Sequence, residues 1–199
     1  DFAISHGTII WDRGNTSKKT VNCVERLGWN IICGIPKISV EAKKIVMETD
    51  VSESPNNLVP CKKTGELYAC KVQAQLYGSM KTLVVYRNVT KAAKSLVKRN
   101  KAIFEISDEL GRMQNNGKFS SQKELKMEIN KALSGWNRFF IINYSQDENN
   151  TDFSWSLDEE RLSEAKSMDG KFLLYSTDDS LSPNDVVRMY LEKDFIEKV

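Results

Sequence analysis

Three groups of residues in this 199-residue chain have the types and spacing to do chemistry. The first is Asp12, which follows the apolar run Thr8-Ile9-Ile10-Trp11 and precedes Arg13-Gly14-Asn15. A carboxylate just past the carboxyl end of a buried strand sits where open α/β sheets place their ligands. Its oxygens suit a hard divalent cation. The same residue also suits a turn that caps the next helix, and position alone leaves both readings open. The second group is Tyr190, Lys193 and Glu197. At 100° per residue they fall within about 60° of one another on a helix, among Val186, Val187, Leu191 and Phe195. A glutamate in such an arc needs a cation beside it. Lys193, four residues earlier, supplies one at least as a simple helix pair. The third group is Lys91, Lys94, Lys98 and Lys101, one stripe of a helix whose opposite face carries Ala93, Leu96, Val97 and Phe104. Lysines that neutralise phosphates release counterions and give salt-dependent, sequence-blind affinity for DNA. A solvated helix face is the alternative for this stripe.

The elements that must position these groups are readable from periodicity. Thr8–Trp11 is a short strand. Val21, Val24 and Leu27 give a helical pattern closed by Gly28, and Trp29–Ile35 is a second apolar strand stopped by Pro36. Two apolar strands joined by a helix predict a βαβ-like unit in a sheet covered on both faces. Next come one helix and a polar stretch over 52–57. In the β section after it, Cys70, Val72, Ala74 and Leu76 alternate with polar residues, and a turn at Gly78-Ser79 leads into Thr82–Tyr86. Helices are expected near 90–114 and 121–134, the second with a capping box of Ser121 and Glu124 and a stop at Gly135. Strands at 139–144 and 153–157, a helix near 158–167 and a strand over 170–176 follow. The last helix starts at Ser182-Pro183, with Asp185 on its positive end.

Composition narrows the function classes. Twenty-nine Lys and Arg against 27 Asp and Glu give a net charge of +2, so bulk charge makes no case for nucleic acid. The charge is segregated, however: residues 87–131 carry 11 basic and 5 acidic side chains, and residues 144–169 carry 8 acidic and 2 basic. No apolar run approaches the roughly 20 residues of a membrane span. No signal-peptide pattern opens the sequence, which starts Asp1-Phe2, and we expect a piece of a longer protein. With a single histidine, and Cys23, Cys33, Cys61 and Cys70 outside any C-x-x-C spacing, a zinc site is not expected. Cys61 and Cys70 flank a turn-like Lys-Lys-Thr-Gly-Glu and could face each other across strands, as free thiols rather than a disulfide. Asn15, Asn88, Asn143 and Asn149 open N-x-S/T tripeptides that carry no meaning without secretion. Trp136 and Trp155 read as core residues before stacking platforms.

Taken together, Ile9-Ile10-Trp11-Asp12-Arg13-Gly14-Asn15, the helix after it and Trp29-Asn30-Ile31-Ile32-Cys33-Gly34-Ile35-Pro36-Lys37 resemble the second-aspartate region of DDE transposases from bacterial and archaeal insertion sequences. The stretch Asp169–Thr177 and then Tyr190-x-x-Lys193-x-x-x-Glu197 resemble that family's third-carboxylate signature, Y-x-x-R-x-x-x-E. The middle of the chain fits only in kind, as the β-rich insertion between the two carboxylates.

The resemblance implies an α/β (α+β) fold, a partial RNase H-like mixed sheet interrupted by a β-rich insertion that carries helices. It divides the chain into a first core part (1–38), an insertion with the hairpin and basic helices (39–137), and a return to the core (138–199). It implies magnesium or manganese held by Asp12 and Glu197 as catalytic carboxylates. Tyr190, Lys193 and Arg13 would contact DNA beside them, and Lys91, Lys94, Lys98 and Lys101 would contact it from the insertion. Transposon ends are the implied partner, with a homodimer in the intact parent, no membrane, and a cytoplasmic, nucleoid-associated setting. Lys193 stands where the family has Arg, which keeps the charge and loses the bidentate fork. The first catalytic aspartate is expected upstream of Asp12 and a final signature lysine beyond Val199. This segment alone is therefore expected to be inactive. The competing expectation is a non-catalytic DNA-binding or protein-interaction module from an inactive transposon copy. An unrelated metal-dependent nuclease is a third.

Overall fold

The computed structural model describes residues 7–61, 65–116, 119–145 and 151–196. The chain forms two compact units, one of Asp1–Ala93 with Ser167–Val199 and one of Lys94–Lys166. In chain order the elements are β1 (Thr8–Trp11), α1 (Lys18–Arg26), β2 (Asn30–Ile35), α2 (Val40–Glu48), β3 (Leu58–Val59), β4 (Leu67–Leu76) and β5 (Ser79–Asn88). They continue with α3 (Val89–Asn116), α4 (Gln122–Leu133), β6 (Phe140–Tyr144), β7 (Phe153–Leu157), α5 (Glu159–Ser167), β8 (Lys171–Ser176) and α6 (Pro183–Ile196). The fold class is α+β, as expected.

In the first unit, Ser17 and Ser39 accept hydrogen bonds from Thr20 N and Ala42 N and so start α1 and α2. Gly28, at φ 71°, ends the turn after α1 in a conformation that costs other residues. The chain then returns as β2, parallel to β1, with Ile9 opposite Ile31 and Trp11 opposite Cys33. This is the expected βαβ unit. It sits in a six-stranded sheet of order β1-β2-β8-β5-β4-β3, in which every other pair is antiparallel. Alternation splits the central strands between two cores. Ile31, Cys33, Ile35, Leu83, Val85, Leu173 and Tyr175 pack with Val21, Ala42 and Val46 of α1 and α2. Ile32, Val84, Tyr86 and Leu174 pack on the other face with Val186, Val187 and Tyr190 of α6. Burial on both faces explains why β2 reads as a continuous apolar run, each such side chain contributing roughly 1.5–3 kcal/mol.

The α1 side of the sheet also holds a polar cluster. Lys81, 8% exposed, donates to Glu25 Oε1 at 2.6 Å, and the Tyr175 hydroxyl donates to the same oxygen. Burial pushes Glu25 up, but the bonds from Lys81 and Tyr175 outweigh it and leave the carboxyl below its ordinary value. Burial also raises the Tyr175 phenol, and pushes the neighbouring Cys33 thiol up to about 12.

In the second unit, Ile106 and Leu110 of α3, Leu125, Ile129 and Leu133 of α4, Phe139, Phe140, Phe153 and Leu162 form one core. β6 and β7 pair antiparallel from Phe140↔Leu157 to Tyr144↔Phe153. Ser121 caps α4, while the Glu124 carboxylate reaches back to Ser120 N at 2.7 Å, one residue beyond the expected box. Trp136 and Trp155 pack against this core, Trp155 lying 6.0 Å from the Phe140 ring.

Three expectations are corrected here. The 39–137 insertion boundary does not match the units: β5 pairs with β8 from Leu83↔Tyr175 to Arg87↔Lys171, so the hairpin belongs to the main sheet and only Lys94–Lys166 separates from it. Cys61 and Cys70 do not face each other. Cys70 lies opposite Val85, the two thiols pack on opposite faces of the sheet, and none of the four cysteines forms a disulfide. The expected apolar face of α3 is exposed at Leu96 (40%), Val97 (67%) and Phe104 (74%), because Ala92, Arg99, Ile106 and Leu110 turn inward instead. Among the described residues no helix is long and apolar enough to cross a membrane.

Candidate functional site

The turn after β1 is fixed locally. Trp11 Nε1 donates to Thr16 Oγ1 at 2.9 Å, and Asp12 caps a short 3₁₀ turn by accepting from Arg13 N at 2.8 Å. Asp12 thus caps this short turn and not α1, which Ser17 starts, and its side chain is 58% exposed. The capping bond therefore leaves the carboxylate accessible.

Helix α6 brings the second group to the same place. Ser182 Oγ accepts from Asp185 N at 3.1 Å and starts the helix, with Pro183 in its first position. Lys71 Nζ donates to Asp179 O and Leu181 O at 2.9 and 2.7 Å, and Asn184 Nδ2 donates to Leu58 O at 3.1 Å, tying the helix start to the sheet. Thr177 Oγ1 accepts from Ile31 N at 2.8 Å and holds the end of β8 against β2. The buried valines Val186 and Val187 then set the helix rotation that turns Tyr190 inward.

As a result the Tyr190 hydroxyl donates to Asp12 Oδ1 at 2.6 Å across 178 sequence positions. Lys193 Nζ lies 3.9 Å from the same oxygen and 5.0 Å from the Tyr190 ring centre. The Tyr190 bond, then the Arg13 amide, hold Asp12 below the ordinary aspartate value against some desolvation. Burial and the Asp12 charge raise the Tyr190 phenol well above its usual range. Asp12 thus stays ionised and Tyr190 neutral near pH 7. The bonds from the Arg13 amide and the Tyr190 hydroxyl both reach Oδ1.

Gly34 makes this approach possible. A Cβ there would lie 2.6 Å from the Tyr190 hydroxyl oxygen, closer than any side chain tolerates. Beside it a small cavity of about 30 Å³ is lined by Arg13, Gly34, Ile35, Lys37, Tyr86, Phe172, Leu173, Leu174 and Tyr190.

Of the residues singled out from sequence, Asp12, Tyr190 and Lys193 converge, and Arg13 flanks them. Glu197 lies outside the described residues. Lys91 belongs to the first unit, 5.0 Å from the Phe172 ring centre; Lys94, Lys98 and Lys101 belong to the second, where Lys101 pairs with Glu105 at 3.8 Å. Sequence reasoning assigned no role to Gly34, Lys37 or Phe172. The available signal was a glycine inside an otherwise apolar strand, which marks close backbone or side-chain approach. Among the described residues no group of three or more His, Cys, Asp and Glu side chains is placed to hold a metal. They supply one fitting ligand, Asp12, rather than a cage. Comparison with family models, curated proteins and solved structures gives no match for this chain.

Proposed function

We propose that this chain is part of the catalytic domain of a DDE-type transposase, acting on DNA phosphodiesters at transposon ends. The observation that carries the reading is the Tyr190–Asp12–Lys193 constellation. The strand-end aspartate and the helix signature lie 178 positions apart in sequence. Their meeting at 2.6 and 3.9 Å is what a shared site requires and what a chance likeness does not.

Asp12 would hold a divalent magnesium or manganese ion, with Glu197, four residues after Lys193 in the sequence, as a further ligand. Such an ion, when bound, activates water or a 3′-hydroxyl and stabilises the leaving oxygen. The residues of this chain do the rest. Tyr190 keeps Asp12 ionised and oriented, and Lys193 places a positive charge where a DNA phosphate approaches. Lys193 offers a single ammonium in place of a guanidinium fork, so it attracts phosphate without fixing its orientation.

The test is strand cleavage and joining by the intact parent on its own terminal repeats, with magnesium. Asp12→Asn and Glu197→Gln should each abolish both steps while leaving DNA binding in place. Full activity in either variant would refute the reading.

A further inference from the structure

Helix α3 carries an apolar stripe that stays open among the described residues. Phe104 is 74% exposed and Val97 67%. Seven residues apart, they fall within about 20° of each other on a helix, on the side away from the buried Arg99, Ile106 and Leu110. Charge is divided along the same helix. Residues 94–101 hold Lys94, Lys98, Arg99 and Lys101 with no carboxylate, and residues 105–109 hold Glu105, Asp108 and Glu109 with no cation. For α3 by itself this division is unfavourable. Lys94 and Lys98 are like charges one turn apart. Neither helix end has the charge its dipole favours, with no acidic side chain in the first turn and no basic one in the last. Lys101 pairs with Glu105, and Arg112 with Asp108 and Glu109, but as solvent-exposed pairs that contribute little.

We propose that this stripe is a self-association surface, on which a second copy of the chain lays its own α3 antiparallel. At 1.5 Å per residue, a two-fold axis beside Lys101 brings Val97 level with Phe104 of the second copy, Lys94 with its Asp108 and Lys98 with its Glu105, each to within about 1.5 Å. Every such contact is made twice, as an isologous interface requires. Asn100 faces its counterpart near the axis, where a polar side chain fixes the register. Lys101 meets its own copy there, with Glu105 at 3.8 Å on the same helix to offset the repulsion. A parallel pairing would set lysine against lysine and carboxylate against carboxylate along the whole seam. The likeness to transposases implies a homodimer without placing its surface; this surface rests on exposure and charge alone. A seam this short buries less than a standard interface, so the dimer is reversible and concentration-dependent.

The test is sedimentation equilibrium of the 199-residue chain over a range of concentrations, without nucleic acid. The chain should show a monomer–dimer equilibrium. Phe104→Glu should weaken it about a hundredfold, since two-fold symmetry counts the loss of one anchoring contact twice. Phe104 contributes little to its own core, so this variant keeps its fold. Lys94→Glu with Lys98→Glu should weaken association about tenfold or more, and so should Glu105→Lys with Asp108→Lys. All four substitutions together should restore it, because each pair again joins opposite charges. A chain that stays monomeric up to about 1 mM, or a dimer whose Kd is unchanged in Phe104→Glu, would overturn the surface. No recovery in the fourfold variant would overturn the antiparallel register. A monomer that instead binds phosphatidylserine vesicles through Phe104 would assign the stripe to a lipid surface and overturn the dimer. Strand cleavage plays no part in these measurements, so they stand or fall separately from the transposase reading.

Discussion

Replacing Gly34 by alanine isolates the contact on which the site depends. The added Cβ would lie 2.6 Å from the Tyr190 hydroxyl oxygen, 3.1 Å from Arg13 Cβ and 3.2 Å from Arg13 N. Arg13 is tied by its amide to Asp12 and cannot retreat far, so the phenol must leave Asp12. Overpacking of this kind costs about 1–3 kcal/mol. A lost hydrogen bond to a charged group costs about 1.5–3 kcal/mol, less here because water reaches the exposed Asp12 and replaces part of it. The variant should lose about 2–4 kcal/mol in urea unfolding followed on amides of β1 and β2. Tyr190→Phe alone should cost about 1 kcal/mol. In the double variant the clashing oxygen is absent, so Gly34→Ala should cost at least about 1 kcal/mol less than it does alone. The Asp12 carboxyl, followed by carbon-detected NMR titration, should rise towards its ordinary value in Gly34→Ala and in Tyr190→Phe alike. Additive costs, or an Asp12 still held low in Gly34→Ala, would refute the argument.

Three further outcomes follow from the charges. Glu25 sits below its ordinary value in the folded state, so its pairing stabilises the fold above the unfolded glutamate pKa of about 4.3 and is lost as pH falls through the lower folded value. Glu25→Gln should flatten that acid limb. Lys81→Met should cost about 1–3 kcal/mol at pH 7, because it leaves the carboxylate with Tyr175 alone; an unaltered acid limb in Glu25→Gln would show that other groups govern it. For the basic stripe, reversing Lys91, Lys94, Lys98 and Lys101 to Glu should reduce the salt dependence of duplex binding, log K against log salt, by about 3–4, with unchanged binding excluding the stripe as a DNA contact.

Much of this architecture was legible because local signals agreed. Ser121 and Ser182 mark helix starts by side-chain chemistry, and the continuous run Asn30–Ile35 announces a strand buried on both faces. Asp12 and Tyr190 could be chosen because strand ends and helix faces constrain where side chains point. What could not be read was non-local. The hairpin's period shows that it is a hairpin, but only the Leu83↔Tyr175 pairing shows which sheet it joins. On α3, hydrophobic content suggested the wrong inward face, since Arg99 is buried while Phe104 is exposed. The cavity escaped for a similar reason: Arg13, Lys37 and Phe172 come from three segments that no spacing rule connects.

The second unit leaves the sheet after β5 and returns before β8, and those two strands are direct hydrogen-bonded neighbours, with Asn88 N donating to Gly170 O at 2.8 Å. The excursion thus replaces what a tight reverse turn would do between two antiparallel strands. Closure entropy grows only slowly with the number of residues spanned, so the sheet is nearly indifferent to how much chain is housed there. A natural lineage can lengthen, shorten or exchange that module without re-registering a single strand around Asp12.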